Sequence, residues 1–84
     1  MTIEAALADA VKRFVQGGVA DARLTAEVLL ADAIGQERVY LFAHPEAELD
    51  ESGAKKYRRG IGERLSGVPT QYITGRQEFY GRPF

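Results

Sequence analysis

Apolar residues in this chain recur at three- and four-residue steps, and every such run is cut short by glycine or proline. That spacing places side chains on one face of an α-helix, so the chain is confined to short amphipathic helices packed on one another. Thr2 is suited to cap the first helix, with Glu4 in the turn where the helix dipole favours an acid. Ile3, Ala6, Leu7, Ala10, Val11, Phe14 and Val15 form its stripe, and Gly17–Gly18 ends it. Asp21 opens a second helix, with Leu24, Val28, Leu29 and Ala31 to Ala33 expected inward and Gly35 as a left-handed cap. "ERVYLFAH" reads as a short helix that stops before Pro45, since the residue preceding proline resists helical geometry.

Asp50 is suited to cap a fourth helix. Ala54, Tyr57, Ile61 and Leu65 share one of its faces, and Lys55, Lys56, Arg59 and Glu63 lie opposite. Gly53, Gly60 and Gly62 each cost such a helix up to about 1 kcal/mol relative to alanine, and close contact with a neighbouring helix is the expected reason for Gly60 and Gly62. Gly67 ends the helix, and Pro69 opens one further short turn, "PTQYI". "QEFYGRPF" alternates polar and aromatic residues around a glycine, a strand–turn–strand pattern. The expected fold is all-α: a bundle of four to five short helices, followed by the first part of a β-hairpin connector.

A chain of 84 residues makes one domain with one modest core, burying roughly 60 to 65% of its unfolded surface, and no deep enclosed pocket is expected. No cysteine is present, so neither a disulfide frame nor a thiolate metal site is available, which fits a reducing cytoplasm. With one histidine, His44, a histidine-rich metal site is excluded as well. No apolar run approaches the length of a membrane span, and the N-terminus lacks the basic region of a signal peptide. The formal net charge of −1 conceals an asymmetry. Residues 1–49 carry four basic and eight acidic groups (4 − 8 = −4), and residues 50–84 carry seven basic and four acidic (7 − 4 = +3).

Few residues point to chemistry. "GIGERLSG" has the spacing G-x-G-x-x-x-x-G, which matches neither a dinucleotide-binding fingerprint nor a phosphate loop, and it falls inside a helix. His44, four residues after Tyr40 at a helix end, is placed to interact with the helix carbonyls rather than to activate a nucleophile. Ser52 and Ser66 lack a nucleophile-elbow context, and Glu46 and Glu48 sit in a polar connection. No catalytic, cofactor-binding or metal-binding residue is assigned. The cluster "KKYRRG" is the strongest polar feature. It is either a solvated helix face or a docking patch for an acidic protein surface or nucleic acid, and with a sequence pI of about 5.8 a protein partner, or RNA carried by one, is favoured over DNA.

The two stretches "RLTAEVLLADAIGQERVYLFAHPEAEL" and "RLSGVPTQYITGRQEFYGRPF" resemble the N-terminal region of the release-factor glutamine methyltransferases (PrmC, also called HemK). The second is the more specific. Gly67, Pro69, Tyr72, Gly75, Glu78, Phe79, Gly81 and Phe84 match the family pattern G-x-P-x-x-Y-x-x-G-x-x-E-F-x-G-x-x-F. The resemblance implies a helical substrate-recognition domain over residues 1–75. It also implies the start of a β-hairpin connector over residues 76–84, leading to a Rossmann-like methyltransferase domain. In the family that second domain binds S-adenosylmethionine and methylates the glutamine of the Gly-Gly-Gln motif of peptide chain release factors, through an Asn-Pro-Pro-Tyr signature. This chain has no asparagine and no glycine-rich cofactor loop, so it is expected to be inactive alone and to hold no cofactor.

The implied partners are a release factor and the chain's own methyltransferase domain, in the cytoplasm, with neither membrane nor DNA involved. Lys55, Lys56, Arg59 and Arg76 are the candidate docking residues. Tyr72, Gly75, Glu78, Phe79, Gly81 and Phe84 are the candidate interdomain connector, with Tyr72 expected to pack on the bundle. The alternative is a free-standing helical adaptor that binds a protein or structured RNA through its basic helix face.

Overall fold

The computed structural model describes residues 1–78, with side chains through Gly75. Five helices follow in order: α1 (Ile3–Gln16), α2 (Ala22–Ile34), α3 (Arg38–Ala43), α4 (Glu51–Leu65) and α5 (Thr70–Glu78). There is no sheet among the described residues. One isolated antiparallel bridge joins Thr2 to Glu48.

The helix ends follow local chemistry. The Thr2 hydroxyl accepts from the Ala5 amide at 3.1 Å, and the Asp50 carboxylate accepts from the Gly53 amide at 2.7 Å. Each satisfies an amide that has no partner inside its helix. The remaining first-turn amides of α1 are met in another way. Ile3 and Glu4 donate to the Ala47 and Pro45 carbonyls, both at 2.9 Å, and Leu49 donates back to Met1 at 2.9 Å. The segment 45–49 is therefore stitched along the N-terminus. Gly35 takes the left-handed conformation at φ 72°, and Gln36 beyond it donates to the Ala31 carbonyl at 2.9 Å, the bond that closes a glycine-ended helix.

Helix α2 is the centre of the bundle and packs against each of the other four helices. This explains a departure from the stripe expected of it. Leu24 is 44% exposed and Val28 half-buried, while Thr25, Ala26, Glu27, Leu29, Leu30, Ala31 and Ala33 are buried. A helix surrounded by neighbours on most sides has no single inward stripe. In α1 the stripe is as expected through Phe14, which is fully buried, but Val15 is exposed past the edge of the contact. Leu65 on α4 is likewise exposed rather than inward. Tyr57 is buried, with its hydroxyl donating to the Ala26 carbonyl at 3.0 Å, and burial drives its pKa well above the ordinary tyrosine value.

The last helix is longer than the single turn expected. Tyr72 and Ile73 donate to the Pro69 carbonyl at 3.0 and 3.3 Å, and the Thr74 hydroxyl reaches back to Thr70 at 3.3 Å. Ile73 anchors α5, buried against α2 and α4, while Tyr72 is 66% exposed. The expectation that Tyr72 packs on the bundle is thus overturned: adjacent positions on a helix are about 100° apart, and the inward one is Ile73. Helical backbone continues through Gly75 to Glu78, taking in the three residues 76–78 that the sequence reading gives to a hairpin. The remainder of that hairpin, residues 79–84, lies outside the described residues.

Candidate docking surface

Helix α4 divides sharply. Gly53, Tyr57, Gly60 and Ile61 are buried, and Lys55, Lys56, Arg58 and Arg59 are all exposed. The basic cluster is therefore gathered within about one turn on the solvent side. Arg59 approaches Glu63 at 3.9 Å, at the limit of an ion pair. Like charges three or four positions apart (Lys55 with Arg58 and Arg59, Lys56 with Arg59) each destabilise a helix by about 0.2–0.5 kcal/mol. These repulsions oppose the favourable four-residue pairing of Arg59 with Glu63.

The three glycines of α4 have different reasons. A Cβ on Gly53 would meet Asp50 Oδ1 at 3.0 Å and Ile34 Cγ2 at 3.1 Å, so Gly53 permits both the cap and the close approach of α2. A Cβ on Gly60 would meet Ile73 Cγ2 at 3.6 Å and Leu29 Cδ2 at 3.9 Å, which is ordinary contact. Gly62 is exposed, and a Cβ there would meet nothing within 4 Å among the described residues. The close helix contact expected for Gly62 is therefore not the reason for it, and it is Gly53, left out of that expectation, that supplies the contact.

The other expected site residues are scattered. Arg76 and Glu78 are on α5, which packs against α4. Gly75 is half-buried on α5 with open space around its missing Cβ. Phe79, Gly81 and Phe84 lie outside the described residues. His44 caps α3 through its backbone amide, which donates to Tyr40, and its ring lies 4.3 Å from the Tyr40 ring. Ser66 donates to the Glu63 carbonyl at 2.8 Å, and Glu48 pairs with the N-terminal amine at 2.9 Å. Arg58, part of the basic cluster "KKYRRG" though not one of the four candidate docking residues, is exposed with them. One feature escaped sequence reasoning: Glu27 is buried, and it accepts from Arg23 at 2.7 Å and Arg38 at 3.1 Å, tying α3 to α2. The Arg23 spacing of four residues is visible in sequence; the Arg38 contact is not.

A groove of about 370 Å³ lies between the end of α2 and the start of α4, bordered by Asp32, Gln36, Tyr40, Ser52 and Lys56. Among the described residues no group of three His, Cys, Asp or Glu side chains could hold a metal ion, and no helix is long and apolar enough to cross a membrane.

Comparison with known proteins accounts for this plan of helices. The family model described as the PrmC N-terminal domain matches residues 5–75. This chain belongs to that family. It is 43% identical over all 84 residues to a release factor glutamine methyltransferase of Koribacter versatilis and 44% identical over the same span to one of Moorella thermoacetica. A bifunctional methyltransferase of Rickettsia conorii is 31% identical over 83 residues. The chain spans about 30% of the length of the first two relatives and 16% of the third. Among solved structures there is no significant match. Within the PrmC N-terminal family, the exposed α4 face and the uncovered Tyr72 are among the surface features of this member that its own core does not explain, as are Val39 and Phe42 on α3.

Proposed function

We propose that this chain is the release-factor-docking domain of an S-adenosylmethionine-dependent protein-glutamine N5-methyltransferase, acting in the cytoplasm on the Gly-Gly-Gln glutamine of peptide chain release factors. The observation that carries this reading is the match of residues 5–75 to the PrmC N-terminal domain, in a chain that aligns over all its residues with about 30% of the length of relatives named release factor glutamine methyltransferase. The chemistry belongs to a separate methyltransferase domain that binds S-adenosylmethionine; the helical domain contributes grip. Residues 1–75 are the docking unit, and Lys55, Lys56, Arg59 and Arg76 are its contact residues. Gripping the substrate away from the reacting glutamine raises the effective concentration of that glutamine at the catalytic domain.

Residues 76–84 lead to the methyltransferase domain, with Tyr72, Gly75, Glu78, Phe79, Gly81 and Phe84 at the junction. The exposure of Tyr72 supports this role, because a large aromatic left uncovered by its own bundle suits a contact with a neighbour.

Calorimetric titration of the chain with a bacterial peptide chain release factor tests the reading. Weak, saturable binding is expected, together with no methyl transfer when S-adenosylmethionine is added. Absence of binding overturns the docking role, and turnover by the chain alone overturns its assignment as non-catalytic.

A further inference from the structure

The outer face of α4 departs from local rules at several positions. Lys55, Arg58 and Arg59 crowd like charges on one exposed surface, and Gly62 sits beside them, three residues from Arg59, four from Arg58 and seven from Lys55. Its missing side chain admits no neighbour within the described residues. Features that cost a helix stability and that the packing does not use point to a surface shaped for something else.

We propose that this face receives an acidic segment of the protein partner, whose main chain crosses α4 at Gly62 while its carboxylates meet Lys55, Arg58 and Arg59. The inference rests on the docking reading above and adds to it the contact point, two residues and the chemistry of the partner's surface. Only a glycine lets a second backbone approach a helix closely at that point. Lys55 and Arg59 are about 6 Å apart along the axis, a spacing that carboxylates on neighbouring residues of an extended segment, or one turn apart on a helix, can meet. Lys56 points to the edge of this face, where it also borders the groove beside Asp32.

Charge decides the class of partner. Residues 1–49 carry a balance of −4 and the whole chain −1. A nucleic acid would meet repulsion from most of the domain, whereas a local acidic segment would meet only the cationic face.

The test uses the 84-residue chain, with a bacterial release factor as titrant and poly-L-glutamate as competitor. Gly62→Ala is expected to raise the thermal midpoint, since alanine is the better helix former, and yet to weaken binding about fivefold or more. A glycine of purely structural importance would not move the two readouts in opposite directions. Lys55→Glu with Arg59→Glu is expected to weaken binding by at least about tenfold and to flatten its salt dependence, while Lys12→Glu on α1 leaves it unchanged. Poly-L-glutamate is expected to compete.

If the wild-type chain binds but Gly62→Ala and the charge reversal bind equally well, this face is not the contact, and the docking reading survives without it. If the wild-type chain does not bind, both fall. Displacement of the release factor by a structured RNA hairpin rather than by poly-L-glutamate, or loss of the face to self-association in sedimentation, also overturns the proposal.

Discussion

Ile73 and Tyr72 are neighbours on α5 with opposite fates, and truncating each to alanine tests the packing of this helix. Ile73 is 7% exposed and Tyr72 is 66% exposed. Ile73→Ala removes three buried carbons, worth about 2.4 kcal/mol at about 0.8 kcal/mol each, before any cavity term. The hole opens beside Gly60 and Leu29, under a helix at the edge of the bundle that can settle inward, so the total is expected at about 2.5–3.5 kcal/mol. Tyr72→Ala forfeits little burial and gains a few tenths of a kcal/mol of helix propensity, so a change within about 0.5 kcal/mol is expected.

A domain of this size has of the order of 4–12 kcal/mol to lose, so the first substitution removes a large share of its stability and the second leaves it intact. Urea unfolding followed by far-ultraviolet circular dichroism measures both. With a slope of about 1 kcal/mol per molar, the midpoint of Ile73→Ala falls by about 2.5–3.5 M or the variant is unfolded from the start. Equal losses would refute the assignment of the inward face of α5. A loss under about 1 kcal/mol at Ile73 would show that α5 is not docked on α2 and α4.

Three further outcomes follow from the packing. Gly53→Ala is expected to lower stability by about 1 kcal/mol despite alanine's helix propensity, because the new methyl displaces the Asp50 cap and Ile34, whereas Gly60→Ala, with ordinary contacts only, is expected to raise the melting temperature. Tyr57 carries a folded-state pKa raised by burial, so its contribution is fully present below pH 10 and is lost as the pH rises above the unfolded value. By pH 11 about 1.4 kcal/mol is expected to have gone, and Tyr57→Phe abolishes that slope in urea titrations at pH 9 and 11 while losing about 1 kcal/mol at neutral pH for the bond to Ala26. Glu27→Leu is expected to change stability by no more than about 1 kcal/mol, because Arg23 and Arg38 are half-exposed and return to water, whereas Arg23→Ala with Arg38→Ala strands the buried carboxylate and costs about 3 kcal/mol in the same assay.

The features legible in the chain before folding were local. The Thr2 and Asp50 caps, the left-handed Gly35, the stop before Pro45 and the face of α1 from Ile3 to Phe14 depend on interactions within a few residues, and their chemistry is written in consecutive positions. The basic character of α4 was equally legible, since lysine and arginine at these spacings cannot all turn inward. Which apolar residues are covered depends on how the helices pack. Leu24, Val15, Leu65 and Tyr72 read as inward or packed, yet they fall past the edges of the contacts, while Thr25 and Glu27 are buried because α2 is enclosed by four neighbours. The glycines of α4 show the same division. Their cost is a local property, identical for all three, but whether a neighbouring atom stands 3 Å away, just under 4 Å away or nowhere near depends on how helices distant in sequence cross. Only that crossing separates Gly53, which the core requires, from Gly62, which it does not, and so brings the outer face of α4 forward as the surface to test.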